Sequence, residues 1–200
     1  MRAPEPGRRR SGAERLPISL IGLRCSGKTT VGRELALLLS RPFVDLDDEV
    51  AALAGAASAG ELIEELGLAT FRRLEARVLE RLLTEGRRTG KEAGNQPPVL
   101  ATGGGAIEDA VNRQWLAQHT RCVWLRAGLE LLRARLGADP TGRPSLTGAD
   151  PGAELELLDA RRAALYAAVA ELEVDAGRGT PRELAERIRA ALATGEQGRA

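Results

Sequence analysis

Two hundred residues with 43% hydrophobic content suffice for one globular unit with an ordinary core. Twenty-nine basic against 28 acidic residues leave a formal net charge of +1, and aromatic residues make up only 2%. These values argue against a nucleic-acid partner, which calls for a basic surplus and stacking rings, and no apolar run approaches the roughly 20 residues that cross a bilayer. The only cysteines, Cys25 and Cys122, form no C-x-x-C pair, so neither a zinc site nor a disulfide framework is expected and a reducing cytoplasm is the natural setting.

The chain starts with a Pro/Gly-rich stretch carrying Arg8-Arg9-Arg10, and no apolar signal core follows before Pro17. It reads as a solvated tail. Ile18 to Leu23 reads as a buried first strand, and Thr29 to Leu39 as a helix with Val31, Leu35, Leu38 and Leu39 on one apolar face. Between them, Gly22-Leu23-Arg24-Cys25-Ser26-Gly27-Lys28-Thr29 matches the spacing G-x-x-x-x-G-K-[ST]. Its glycines let backbone N–H groups turn inward around a phosphate chain, Lys28 can reach the outer end of that chain, and the Thr29 hydroxyl suits a magnesium ion. A strand before the motif and a helix after it point to a loop that binds a nucleoside triphosphate.

Arg41-Pro42 breaks the first helix, and Phe43-Val44-Asp45 begins a second strand. Asp45 and Asp47 lie two apart at its end, so the spacing sends both carboxylates out on one face, toward the ligand crevice of a parallel sheet. The competing reading is capping, because acids are favoured just before a helix. Val50 to Leu83 is helical in two or three pieces, interrupted around Gly55 to Gly60 and at Gly67. Arg72 and Glu75 are three apart there and can pair, holding the guanidinium for a carboxylate or phosphate; on spacing alone a solvated surface pair serves equally well.

Thr84 to Pro98 lacks periodicity and reads as an exposed loop, followed by a third strand, Val99 to Thr102. Gly103-Gly104-Gly105 comes next, and three glycines at a strand end suit a backbone pressed against a ligand better than a plain turn. Trp115 sits in a further helix, and Arg121 to Leu125 is a strand with Cys122 as inert packing. Leu129 to Leu136 is a helix, and Gly137 to Gly152 has the composition of a mobile loop. Arg143 within that loop is either a phosphate-neutralising lid arginine or an ordinary solvated one. Leu155 to Val169 is a long helix on which Arg162 points to the crevice or to solvent. Leu172 to Val174 is a last strand and Pro181 to Leu192 a closing helix. Strands alternating with helices imply an α/β fold, a mostly parallel sheet covered on both faces.

Taken in order, these pieces resemble the shikimate kinase family. The resemblance rests on the Gly22–Arg33 segment, Asp45 and Asp47, Phe71-Arg72 with Glu75, Thr102-Gly103-Gly104-Gly105, Arg143-Pro144, Arg162 with Leu165-Tyr166, and Val174-Asp175. It spans about residues 17 to 192. It implies a three-layer P-loop kinase fold with a five-stranded parallel sheet, a substrate-binding helical region and a mobile lid at about 137–152. The kinase domain would occupy residues 17–193, between tails at 1–16 and 194–200.

The activity implied is transfer of the γ-phosphoryl group of ATP to the 3-hydroxyl of shikimate, on the route to chorismate and the aromatic amino acids. By resemblance, Cys25, Ser26, Gly27, Lys28, Thr29, Thr30 and Arg143 bind ATP, Thr29 ligates Mg²⁺, and Asp45 assists that ion through water. Asp47 acts as base and binds the substrate hydroxyls, Arg72 and Arg162 clamp its carboxylate, and Gly103, Gly104 and Gly105 contact the ring hydroxyls. Lys28, Asp47 and Arg143 form the catalytic set. The implied partners are ATP and shikimate, with no nucleic acid or membrane, and the expected form is a cytoplasmic monomer.

The chain departs from the family pattern in four places: Cys25 for Gly, Leu68 for Glu, Arg-Pro-Ser-Leu for Arg-Pro-Leu-Leu in the lid, and a longer Thr84–Pro98 loop. A related kinase acting on gluconate or a nucleoside monophosphate is the alternative enzyme, and a degenerate nucleotide-dependent interaction module the non-catalytic one.

Overall fold

In the computed structural model the residues described are 16–88, 96–138, 150–195 and 198–199. Five strands, β1 (Ile18–Ile21), β2 (Phe43–Asp45), β3 (Val99–Ala101), β4 (Arg121–Arg126) and β5 (Leu172–Asp175), form a parallel sheet, and the two-residue β6 (Gly198–Arg199) adds a short edge beside β5. The order is β2-β3-β1-β4-β5-β6. Chain order reverses around β1, and in an open α/β sheet such a switch point opens a ligand crevice at the carboxyl ends of the strands.

Alternation along the strands divides the core in two. Ile18 and Leu20, with Val123, Leu125 and Val174, face helices α1 (Lys28–Leu39) and α8 (Pro181–Thr194), where they meet Val31, Leu35, Leu184 and Ile188. Ile21, Leu100, Cys122 and Trp124 face the other way. They pack under α2 (Leu46–Ala54), α3 (Ala59–Leu66), α4 (Leu68–Arg88), α5 (Ala110–His119), α6 (Leu129–Gly137) and α7 (Pro151–Val169) through Leu46, Leu62, Phe71, Leu79, Leu116 and Leu158. Burial pushes the Cys122 thiol up to about 12, which makes it the inert packing group expected.

Among the boundaries that differ from the expectation, two bear most on the argument. Helix α4 runs through Thr84 to Arg88, so the first third of the expected loop is helical; its polar residues carry no apolar period by which the sequence could show it. The second strand ends at Asp45, and Asp47 already lies in the first turn of α2. The two carboxylates therefore do not leave one strand face. Asp45 caps the helix, its side chain accepting from the Asp47 N–H, while Asp47, Asp48 and Glu49 occupy the favoured N-terminal turn. Capped starts also set the rest of the crevice wall: Ser58 for α3, Asp150 with Pro151 for α7, and a Thr180/Glu183 capping box for α8.

Candidate active site

The turn from β1 into α1 carries the phosphate-loop motif at the carboxyl end of the sheet. Lys28 is nearly buried, and its Nζ donates to the carbonyls of Gly22 at 3.0 Å and Leu23 at 2.7 Å, so the ammonium lies along the inside of the loop. Cys25 adopts φ 61, the left-handed region that a glycine would occupy without strain, and its carbonyl accepts from Arg135 Nη1 at 3.2 Å. Arg135 Nη2 also donates to the Ala176 carbonyl at 3.3 Å, tying the loop to the turn after β5.

Thr29 Oγ1 donates to Asp45 Oδ2 at 2.8 Å, while Asp45 Oδ1 accepts from the Asp47 N–H at 3.1 Å. One oxygen of Asp45 thus caps α2 while the other takes the Thr29 hydroxyl. Cys25, Ser26, Gly27, Lys28, Thr29 and Thr30 all border a cavity of about 620 Å³, which Asp45, Asp47 and Arg135 also line.

A second cavity, of about 310 Å³, lies between α2, α3, α4 and α7. Asp47, Arg72, Arg162 and Gly103, Gly104 and Gly105 border it. The Arg72–Glu75 pair is no surface pair. Glu75 is fully buried and accepts from Arg72 Nη1 at 2.7 Å, while Arg72 keeps one quarter of its side chain exposed to the cavity side. Burial pushes the Glu75 carboxyl up to about 7 against the opposing pull of Arg72, with the neighbouring Asp47 adding to the rise.

Arg162 is buried, so it points into the protein; its Nη2 donates to Glu108 Oε2 at 3.2 Å. The triple-glycine turn is required by close approach. A Cβ on Gly103 would overlap Glu75 Oε1 and come within 2.5 Å of Asp47 Oδ1, and one on Gly105 would overlap the Arg72 guanidinium. The Tyr166 hydroxyl fixes that turn by donating to the Gly104 carbonyl at 2.6 Å.

Arg24, Asp47, Asp48 and Gly104 border both cavities, which therefore adjoin. Arg24 was not singled out by the sequence. It forms an ion pair with Glu154, with 12% of the arginine side chain and 1% of the glutamate exposed. Nothing in the spacing announces this pair or the Arg135 brace, since their partners lie 130 and 110 residues away. Arg143, the lid arginine of the sequence reading, lies outside the described residues.

A triphosphate-sized cavity opening through shared walls onto an arginine-lined one suits phosphoryl transfer to a small acid. Together with the sheet order it makes the chain a P-loop kinase. Comparison with known proteins narrows that class. The family model for shikimate kinase matches residues 24–193. A shikimate kinase of Caulobacter vibrioides is 43% identical over 170 residues, 84% of this chain and 77% of that protein. One of Mesorhizobium japonicum is 42% identical over 150 residues, 75% of this chain and 68% of that protein. The solved structure of the shikimate kinase from Acinetobacter baumannii in complex with shikimate aligns with a TM-score of 0.80 at 36% identity, covering 92% of this chain and 97% of that one. The chain belongs to the shikimate kinase family.

Proposed function

We infer that this protein transfers the γ-phosphoryl group of ATP to the 3-hydroxyl of shikimate, yielding shikimate 3-phosphate and ADP. The observation that carries the reading is the convergence of Asp47, Arg72 and Arg162 on one cavity that adjoins the Lys28 cavity. Their sequence positions are far apart, and a rim of two guanidinium groups facing a carboxylate matches a small acid bearing hydroxyls at its other end.

In this reading the Lys28 ammonium and the N–H groups from Cys25 to Thr30 hold the phosphates. Arg72, oriented by Glu75, and Arg162, oriented by Glu108, grip the substrate carboxylate. Gly103, Gly104 and Gly105 present backbone to the ring hydroxyls, and Asp47 receives the proton of the attacking hydroxyl. The hydroxyl oxygen bonds to the γ-phosphorus, and the bond from that phosphorus to the β,γ-bridging oxygen breaks, its electron pair leaving with ADP. Positioning and charge neutralisation supply most of the rate. Arg143 would act from the lid at about 137–152, within a kinase domain of residues 17–193 preceded by a tail at 1–16; of the residues 194–200 expected as a second tail, Thr194 closes α8 and Gly198–Arg199 form β6.

Magnesium fits this site. Thr29 Oγ1 and Asp45 Oδ2 are hard oxygen donors 2.8 Å apart. Among the described residues no cluster of three His, Cys, Asp or Glu is gathered to cage an ion, which suits a cation that keeps waters and takes its other oxygens from phosphate. When bound, it would neutralise phosphate charge, with Thr29 as direct ligand and Asp45 acting through water. A monomer in the cytoplasm is the form we assign. No described helix is long and apolar enough to cross a membrane.

Purified protein given ATP, Mg²⁺ and a panel of shikimate, gluconate and nucleoside monophosphates tests the reading. The expected outcome is ADP and shikimate 3-phosphate from shikimate alone. A folded protein that leaves shikimate untouched overturns it.

A further inference from the structure

The acceptor cavity contains one more cation than its substrate needs. Arg72, Arg162 and Arg24 all line it, yet shikimate has a single carboxylate, for which two guanidinium groups suffice. Arg24 differs from the other two in position: it alone of the three also borders the triphosphate cavity. It stands in the wall that a phosphoryl group crosses between donor and acceptor.

Its orientation is fixed at both ends. A Cβ on Gly104 would lie 3.3 Å from the Arg24 backbone nitrogen, so the phosphate loop and the triple-glycine turn are packed together at this residue. At the other end, Glu154 in the first turn of α7 takes Nη2. That pairing engages one edge of the guanidinium. Nε is buried with no hydrogen-bond partner among the described residues, and a guanidinium donor shielded from water without an acceptor is costly. Arg24 lines both cavities, and a guanidinium at their junction suits an oxyanion there. The acceptor acquires such a group only by reaction, when its hydroxyl becomes a phosphate monoester carrying about −1.5 to −2 charge near neutral pH.

Building on the functional reading above, we propose that Arg24 is a phosphate-binding residue at the junction of the two cavities, which grips the phosphoryl group as it reaches the acceptor and holds the phosphate-monoester product more tightly than the unphosphorylated acid. Glu154 is its positioning partner. Helix α7 then carries both ends of the acceptor site, with Glu154 setting Arg24 at the phosphate end and Arg162 eight residues on at the carboxylate end. Eight residues span about 12 Å of helix axis, so one rigid element sets the separation of the two grips.

Calorimetric titration of shikimate and of shikimate 3-phosphate, with steady-state kinetics, tests this in wild type, Arg24→Met and Arg24→Lys. In Arg24→Met the affinity for the phosphorylated product is expected to fall about tenfold to a hundredfold while that for shikimate stays within about twofold. Its kcat should fall with KM for shikimate little changed, a split that mere loosening of the fold would not give. Arg24→Lys keeps the charge without the planar fork and should lose less. Equal weakening of both ligands in Arg24→Met, or unchanged product binding, overturns the proposal. Should the Met variant show no cooperative melting transition, Arg24→Lys decides alone: about threefold weaker product binding with shikimate unaffected supports the assignment, and any other pattern removes it. A wild type that binds neither ligand takes down the functional reading as well, whereas a wild type that binds and turns over shikimate isolates the failure to Arg24.

Discussion

The two cavities of the crevice are built on opposite principles. The triphosphate side is made chiefly of one unbroken stretch, residues 24–30, offering backbone N–H groups and a helix start, with Lys28 folded along its inner surface. The acceptor side is assembled from α2, α3, α4, the triple-glycine turn and α7, and each of its cations leans on a carboxylate: Arg72 on Glu75, Arg162 on Glu108, Arg24 on Glu154. A backbone cradle keeps its donors whatever the pH, and most of its side chains can change without removing them. A set of braced guanidinium groups depends on the ionisation and packing of groups that never touch substrate.

Substitutions should expose that contrast, most strongly at Lys28, whose ammonium lies along the inside of the cradle. Lys28→Ala is expected to lower turnover by about a thousandfold or more with little change in melting temperature, measured by coupled ADP release and thermal unfolding. Activity within tenfold of wild type would show that the backbone suffices. Next in size, Asp47→Asn should reduce kcat by about 10² to 10⁴ without unfolding the protein, and a normal kcat in that variant would remove Asp47 as proton acceptor. Arg162→Ala should raise KM for shikimate about tenfold to a hundredfold and leave KM for ATP nearly unchanged. The reverse pattern in initial-rate kinetics would misplace the carboxylate.

The smallest effect is the one most particular to the acceptor side. Glu75 titrates at about 7 rather than at the usual 4.5, because burial disfavours its charged form. Acidification from pH 8 to 6 therefore discharges Glu75 and weakens its hold on Arg72, so KM for shikimate should rise about threefold across that range, with KM for ATP flat. Glu75→Gln should abolish the dependence, and a pH-independent wild-type KM would refute the brace. The sign for stability is opposite. The folded state retains a proton that the unfolded chain releases between 4.5 and about 7, so this group's contribution to stability falls as pH rises through that window and is level above it.

The same division governs what could be read from the chain beforehand. Residues 22 to 29 announced their role because consecutive residues form that cradle and the motif carries its own geometry. The alternation of strands and helices likewise exposed the three layers. Arg72 and Glu75 revealed their pairing by spacing but not their burial, which depends on a glycine turn some 30 residues later and on the packing of α4 against its neighbours. The strand-face argument for Asp45 and Asp47 failed because a cap intervened: Asp45 turned the chain into α2 before the alternation could apply. Arg24 with Glu154, and Arg135 with the Cys25 carbonyl, join segments more than 100 residues apart, and no local pattern encodes such a meeting.

Helix α7 acts as a gauge block for the crevice. Glu154, Arg162 and Tyr166 leave one face of it toward the phosphate loop, the carboxylate grip and the glycine turn, respectively. Inserting a single residue between Glu154 and Arg162 would rotate one half of the helix against the other by about 100° and turn Glu154 away from the face that carries Arg162 and Tyr166. Changes of chain length can therefore accumulate on either side of this segment, whereas within it the residue count is part of the machinery.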